Sequence, residues 1–320
     1  MLRIILALII ATASLASAPV AAQAGKPVHI VVAFPPGGPV DFVARVLSEQ
    51  LGKELGQTLI VDNKPGANGA IGAEFVAKSA PDGTTLWLTS VGAIAVNPAL
   101  YEKLAYDPQR DFAPVSLVVN NVEVLVVNPA NPARTGAEFA AATKQRKEPT
   151  PMASSGMGSM PHLALELLAD ASGANLLHVP YKGAAPAISD VMAGQVAGFF
   201  GDVPGLIGHI KGGRLKPIGI AAATRHALLP EVRTFAEMGM PGVESDNWYA
   251  LFVPAKTPRA EIDKLNQALR RVLASEPVRA KLIGSGADPA PSSPDELAAL
   301  LLRDRAKWAR VIREKRIKAE

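Results

Sequence analysis

Residues 28–47, VHIVVAFPPGGPVDFVARVL, decide the fold. Val28 to Phe34 is a short, almost unbroken apolar run with β-branched residues, the composition of a buried strand. Pro35-Pro36-Gly37-Gly38 stops it, and from Val40 the period changes. Val40, Val43, Ala44, Leu47, Leu51 and Leu55 then fall on one face of a helix that Gly56 can end. Pro39 suits the first helical turn, where a missing N–H costs nothing. The product is strand, glycine loop, helix N-terminus. Unpaired N–H groups and the helix dipole make such a spot able to hold an anion. The expectation is half of a binding site for a small carboxylate.

Upstream, Arg3 is followed by an apolar run, Ile4 to Ala16, and by small residues ending in Ala22-Gln23-Ala24, the pattern of a secretory signal peptide. The run is too short to span a bilayer, and no later segment is long enough. Residues 1–24 are read as this signal, with a mature start near Gly25 outside the cytoplasm; no cysteine follows to carry a lipid anchor. With 48% apolar residues the chain can fill one large or two medium domains, and zero cysteines rule out disulfides and thiolate metal sites. The net charge of +4 is mild, and much of the basic excess lies in the last helix (Arg303, Arg305, Lys307, Arg310, Arg313, Lys315, Arg316, Lys318). With 5% aromatics and no recognition motif, that helix reads as a solvated face and not as a nucleic-acid footprint.

In order, the chain alternates strands and helices. Thr58 to Val61 is a strand and Asp62 to Gly69 a turn-rich loop. Ala70 to Lys78 is a helix, Thr84 to Thr89 a strand, and Ser90-Val91-Gly92 closes it. Such alternation implies a parallel sheet with helices on both faces and ligands at the strands' carboxyl ends, so Pro35–Gly38, Asn63–Gly69 and Ser90–Gly92 share a rim. A second unit follows: strand Val122 to Val127, helix Thr135 to Thr143, short strand Met152 to Ser154. Ser154-Ser155-Gly156-Met157-Gly158-Ser159-Met160-Pro161-His162 then repeats the chemistry of the opening loop ahead of a helix from Leu163. Leu176 to Pro180 is a strand, Tyr181 to Ala184 a loop, and Pro186 starts a helix; Val196 to Phe200 runs into Gly201-Asp202. Leu215 to Ala222 reads as a strand returning to the first unit. Trp248 to Val253, the helices Pro258 to Leu273 and Pro277 to Leu282, and a helix opened by the capping box Ser293-Pro294-Asp295-Glu296 complete that unit. Two domains, 25–121 with 223–320 and 122–222, are thus expected, crossing near Asn121 and Ala222 over a ligand cleft.

AFPPGGPVDFVAR, VDNKPGANGAIGAEFVAKSAPDGTTL, SSGMGSMPHLALELL, VPYKGAAPAISDVMAGQVAGFFGDVP and WYALFVPAKTPRAEIDKLNQAL together resemble the substrate-binding proteins of tripartite tricarboxylate transporters, the Bug-family or TctC-like receptors. The likeness runs in order along the whole mature chain. It implies an α/β, two-domain periplasmic-binding-protein fold, a type II-like clamshell with the ligand cleft between its domains. It also implies a periplasmic monomer, without cofactor or metal, that binds a di- or tricarboxylic or aromatic acid and passes it to a membrane permease pair. Pro36, Gly37 and Gly38, with Asp41 one turn into the helix, match the family's first loop, and Ser90 and Gly92 a rim loop. Ser154, Ser155, Gly156, Gly158 and Ser159 match the second anion loop, with His162 at the helix start. Tyr181, Gly183 and Ala184 match the loop after VPYKG, and Asp202 lies where the following strand ends. Pro39 departs from the pattern and removes a backbone donor.

The residues also have plainer readings. Asp41 suits a helix-stabilising role that shapes the loop, since a carboxylate repels an anionic ligand. His162 can cap or pack near its helix start, and Tyr181 can be wall or lid. Lys64, Lys182 and Arg225 are the cations left open as neighbours of the site. Two rival functions share these residues. One is a receptor of the same fold reporting to a sensor kinase. The other is a serine hydrolase built on Ser154, Ser155, Ser159 and His162, but there is no G-x-S-x-G elbow. Walker A, HExxH and EF-hand patterns are absent from the sequence, as is a complete dinucleotide fingerprint.

Overall fold

The computed structural model describes residues 26–318, so the expected signal segment lies outside the described residues. Strand β1 (Val28–Val32) is flanked by parallel neighbours on both sides, β2 (Leu59–Asn63) and β3 (Thr85–Ser90). Both of its faces are largely covered, which is why its sequence is apolar at every position but His29 instead of alternating. Beyond β3 the sheet changes direction. β10 (Asn247–Pro254) runs antiparallel between β3 and β4 (Phe112–Asn121), and β11 (Asp288–Pro289) pairs the outer edge of β4. The six-stranded order is β11-β4-β10-β3-β1-β2.

A second, five-stranded sheet has the order β7-β6-β8-β5-β9, with β5 (Glu123–Val127), β6 (Thr150–Ser154), β7 (Leu176–Pro180), β8 (Gly198–Asp202) and β9 (Lys216–Ile220). β6 lies parallel between β7 and β8, whereas β5 is antiparallel to both β8 and β9. The fully parallel sheets expected from the alternation are thus corrected to mixed ones. A parallel neighbour needs a crossover connection to bring the chain back. β4 instead runs straight on into β5 through Val122 alone. The stretch around Leu215–Ala222 is likewise not a return strand: β9 is an edge of the second sheet, and the chain returns after it. The two crossings lie side by side, Ala221 N–H donating to Glu123 O at 2.9 Å and Ser245 N–H to Ala221 O at 3.0 Å.

The Pro39–Leu55 helix buries Val40, Val43, Ala44, Leu47 and Leu51, and Gly56, at φ 65°, ends it in the left-handed region. That face meets Ile30, Val32, Leu86 and Leu88 of the sheet and Leu265, Leu269, Val272 and Leu282 from the C-terminal helices. The Pro294–Glu314 helix carries both halves of its capping box and buries Leu297, Leu301, Trp308 and Ile312. Its Asp304 accepts the Trp248 indole N–H at 2.7 Å. Among the described residues no helix is long and apolar enough to cross a membrane.

Candidate functional site

The first loop is held from behind. Asp41, 3% exposed, accepts the Gly37 N–H at 2.9 Å, Arg45 Nε and Nη2 at 2.8 and 2.9 Å, and Asn63 Nδ2 at 2.9 Å. Asn63 Nδ2 also donates to Phe34 O at 3.0 Å, closing the network on the strand end. Burial pushes the Asp41 carboxyl up, but Arg45, the Gly37 N–H and Asn63 outweigh it and hold the group below its ordinary value. Asp41 therefore shapes the loop, and it takes the Gly37 N–H that the sequence offered to a ligand. What remains facing inward is Gly38, Pro39 and Val40.

The second loop is stitched the same way. Ser159 caps its helix weakly, accepting His162 N–H at 3.4 Å, and donates its hydroxyl to Gly156 O at 2.7 Å. The helix begins at Met160 and not at Leu163, because Pro161 fits its first turn, so His162 sits within that turn. His162 Nδ1 accepts the Gly158 N–H at 3.2 Å, and its ring stacks on His178 at 3.9 Å. Burial and the neighbouring His162 push His178 down to about 4, so it is neutral at physiological pH. Ser154 Oγ lies 2.5 Å from His178 Nε2 and accepts the Gly156 N–H at 3.1 Å. With its partners committed and its side chain fully buried, Ser154 is structural. Ser155 is the loop hydroxyl left facing the cavity.

Gly183, at φ 116°, precedes the Ala184–Met192 helix, whose first residues Ala184 and Ala185 line the same cavity. Tyr181 turns away, its hydroxyl donating to Asp190 Oδ2 at 2.5 Å. At the base, Asp202 accepts Asn247 Nδ2 at 3.0 Å on each oxygen and the Tyr249 hydroxyl at 2.5 Å. Glu123 is its partner in the β5–β8 register and accepts the Ser245 hydroxyl at 3.0 Å. These bonds tie the second sheet to the segment returning to the first. Burial pushes Asp202 up to about 6, against the pull of Tyr249 and Asn247. Burial and the Asp202 charge push Glu123 well above the usual carboxylate range.

One cavity collects these groups. The first sheet's side supplies Phe34, Pro35, Gly38, Pro39, Val40, Asn68, Ser90, Asn247 and Tyr249. The second supplies Ser155, Ser159, Met160, Pro161, Ala184, Ala185, Phe199, Gly201 and Asp202. Neither set contains lysine or arginine. An adjoining opening is lined by Tyr101, Gly156, Met157, Tyr181, Lys182 and Gly183, and shares Phe34, Pro35, Asn68 and Ser155 with the cavity. Of the three cations left open, Lys182 alone borders this mouth. Lys64 lies over the Phe75 ring and Arg225 is bonded to Glu237.

The lobes touch where side chains are missing. A Cβ on Gly183 would fall 2.7 Å from the Pro35 ring, one on Gly158 2.6 Å from Leu100, and one on Gly205 3.4 Å from Pro39. Of the residues singled out in sequence, Gly38, Ser90, Ser155, Ser159, Ala184 and Asp202 line the cavity; Gly156, Tyr181 and Gly183 line the mouth. Pro36, Gly37, Asp41, Gly92, Ser154, Gly158 and His162 line neither; Pro36 and Gly37 are exposed, and Asp41, Ser154 and His162 are buried behind the walls. Sequence reasoning missed Phe34, Asn68, Phe199, Asn247 and Tyr249. Asn68 lay in a rim loop already marked, and its backbone at φ 47° is a turn position that asparagine tolerates. Asn247 and Tyr249 gave no local signal, since their partner Asp202 is more than forty residues away, with sequence separations of 45 and 47.

Two α/β lobes joined by two adjacent crossings and closed over a shared cavity define a two-domain periplasmic-binding-protein fold, the architecture of a solute-binding receptor and not of an enzyme. Residues 43–317 match the tripartite tricarboxylate transporter family receptor, and the chain belongs to that family. It is 36% identical to protein BugT of Bordetella pertussis, over 97% of this chain and 96% of that one. MatC from Rhodopseudomonas palustris, solved with bound malate, superposes with a TM-score of 0.86 at 34% identity, covering 90% of this chain and 99% of that one. An R. palustris protein with adipate gives a TM-score of 0.89 at 31% identity, covering 92% and 99%.

Proposed function

We propose that this chain captures a small carboxylate, a di- or tricarboxylic or aromatic acid, in the periplasm and delivers it to the membrane permease subunits of a tripartite tricarboxylate transporter. One observation carries the reading: the helix starts at Gly38–Val40 and Ala184–Ala185 and the Ser90 and Ser155 residues converge on one cavity without a basic side chain. A helix N-terminus gives ~0.3–1 kcal/mol to an anion, up to ~2 when partly buried. Hydrogen bonds to a charged group add ~1.5–3 kcal/mol each. A few such donors offset the costs of association and reach micromolar binding, about −8 kcal/mol, without arginine. The two neighbours solved with malate and adipate hold dicarboxylates, which supports the ligand class. The lobes proposed to close on the acid are 25–121 with 223–320, and 122–222, and residues 1–24 are proposed to be removed on export.

A thermal-shift screen across carboxylic acids, amines and sugars tests this. An acid at a hundred times its Kd adds ~2.7 kcal/mol of stability, and hits are expected among carboxylates only. Ser155→Val abolishes them while leaving the unliganded melting temperature in place. Stabilisation by sugars or amines and by no acid overturns the reading.

A further inference from the structure

Residues 303–318 hold eight of the chain's 33 lysines and arginines and two of its 29 acidic residues. The stretch therefore carries a formal +6, while the remainder of the chain carries −2. Asp304 is engaged by the Trp248 indole, and Lys315 reaches Asp170 on the second lobe. The other seven cations have no ion-pair partner among the described residues. The Pro294–Glu314 helix turns Leu297, Leu301, Trp308 and Ile312 into the core and leaves Leu302, Arg303, Ala306, Arg310 and Arg313 exposed. One turn shapes its end. Arg316, at φ 52°, donates its N–H to Arg313 O at 3.3 Å, and Ile317 N–H reaches back to Ile312 O at 3.0 Å. Such a left-handed cap favours glycine, yet here it holds an arginine. Beside it is a shallow hollow with apolar lining from Ala99, Ala309, Ile312 and Ile317 and three cations, Arg313, Arg316 and Lys318. No acidic residue lines it. Ala99 is two residues from Tyr101, which lines the mouth of the ligand cavity, so the hollow opens close to that mouth.

We propose that this face docks on an anionic phospholipid surface, with the arginines against the phosphates and Leu302 and the hollow against the carbons beneath them. A bilayer offers phosphates across a whole plane with apolar chains just below. A straight stripe, about 15 Å from Arg303 to Arg313 at helical rise, therefore meets complementary chemistry along its full length. Clustered lysines and arginines on a helix are held at such a leaflet within about a Debye length. The inference goes beyond the carboxylate reading and holds whichever acid is bound. It keeps the mouth of the cavity near the bilayer, so a loaded molecule searches a plane for its permease and not a volume.

Co-sedimentation of the exported protein, purified from the periplasm, tests the face against two vesicles: phosphatidylcholine alone, and phosphatidylcholine with phosphatidylglycerol in equal parts. Binding to the mixed vesicles is expected to be at least about tenfold tighter and to fall steeply as salt is raised. Arg310→Glu with Arg313→Glu is expected to weaken it by at least about tenfold. Arg279→Glu with Lys281→Glu makes the same change of charge on a helix packed against the opposite face of the first sheet. That control is expected to bind within about twofold of the wild type. All four positions are exposed and none lines the ligand cavity, so melting temperature and acid affinity are expected to hold in both variants. Equal binding to the two vesicles overturns the docking face, as does an equal loss in the two charge variants, which would leave net charge alone at work. Failure to bind the mixed vesicles at low salt overturns it as well and gives the face to an acidic protein. Acid binding is read separately: a protein that meets the mixed vesicles as expected but takes no acid loses the carboxylate reading and keeps this one.

Discussion

Two aspartates show how one side chain takes opposite roles within one site. Asp41 is surrounded by donors that favour its charge, so it contributes stability that is fully present above its ordinary value and is lost as pH falls through its lowered one. Asp41→Asn is expected to cost about 2 kcal/mol, a drop of several degrees in a thermal melt, and to loosen the Gly37 turn. Asp202 runs the other way. Between about 4 and its raised value of about 6, the folded protein keeps a proton that the unfolded chain has released. Its contribution is therefore fully present below about 4 and is lost as pH rises through 6. In parallel melts, the wild type is expected to lose on the order of 2–3 kcal/mol more than Asp202→Asn between pH 4 and pH 7. Equal losses would remove Asp202 from the hinge titration. Asp41's role was legible because most of its determinants are local, Gly37 and Arg45 each lying four residues from it. The environment of Asp202 was not, because each hydroxyl and amide it receives comes from a distant strand.

At the scale of elements, apolar period and punctuation located the strands and helices that turn at glycine or proline. They did not reveal β4. Its sequence, FAPVSLVVNN, is interrupted by Pro114 and Ser116 and ends in two asparagines, the composition of a loop. The structure accommodates Pro114 through register shifts against β10, and the strand's other partners lie more than a hundred residues downstream. Tertiary pairing overrides local propensity there. Caps, by contrast, are short-range chemistry, and the Ser293–Glu296 box forms as written. Ser293→Ala is expected to lower stability by about 1 kcal/mol, some 2–4 °C, with ligand affinity unchanged. An unchanged melting temperature would show that the Pro294–Glu314 helix depends on packing alone.

For the whole molecule, the sheets' order could not be read from the chain, because mixed direction follows from β4 running straight on into β5 and from β10 re-entering the first sheet after the return segment. The meeting of the lobes at glycines was equally hidden, since each close approach pairs residues far apart in sequence. Gly205 lies in regular helix beside Pro39, where a Cβ alone would make ordinary contact at 3.4 Å and the extra methyl groups of a branched side chain would crowd the Pro39 ring without straining the backbone. Gly205→Val is expected to keep the fold, to weaken acid binding at least tenfold, and to leave a larger scattering radius at saturation than the wild type shows. A wild-type radius in the saturated variant would show that this contact does not gate closure.

The seams at Gly183, Gly158 and Gly205 have one further consequence. Each is made by Pro35, Leu100 or Pro39 meeting bare main chain. The captured molecule supplies none of these contacts. The outer profile of the shut form is therefore the same for every cargo that lets it shut. Under the transport function proposed above, a partner resting across both lobes would meet one shut profile and learn nothing of the contents; discrimination would have to be finished inside, before the halves meet.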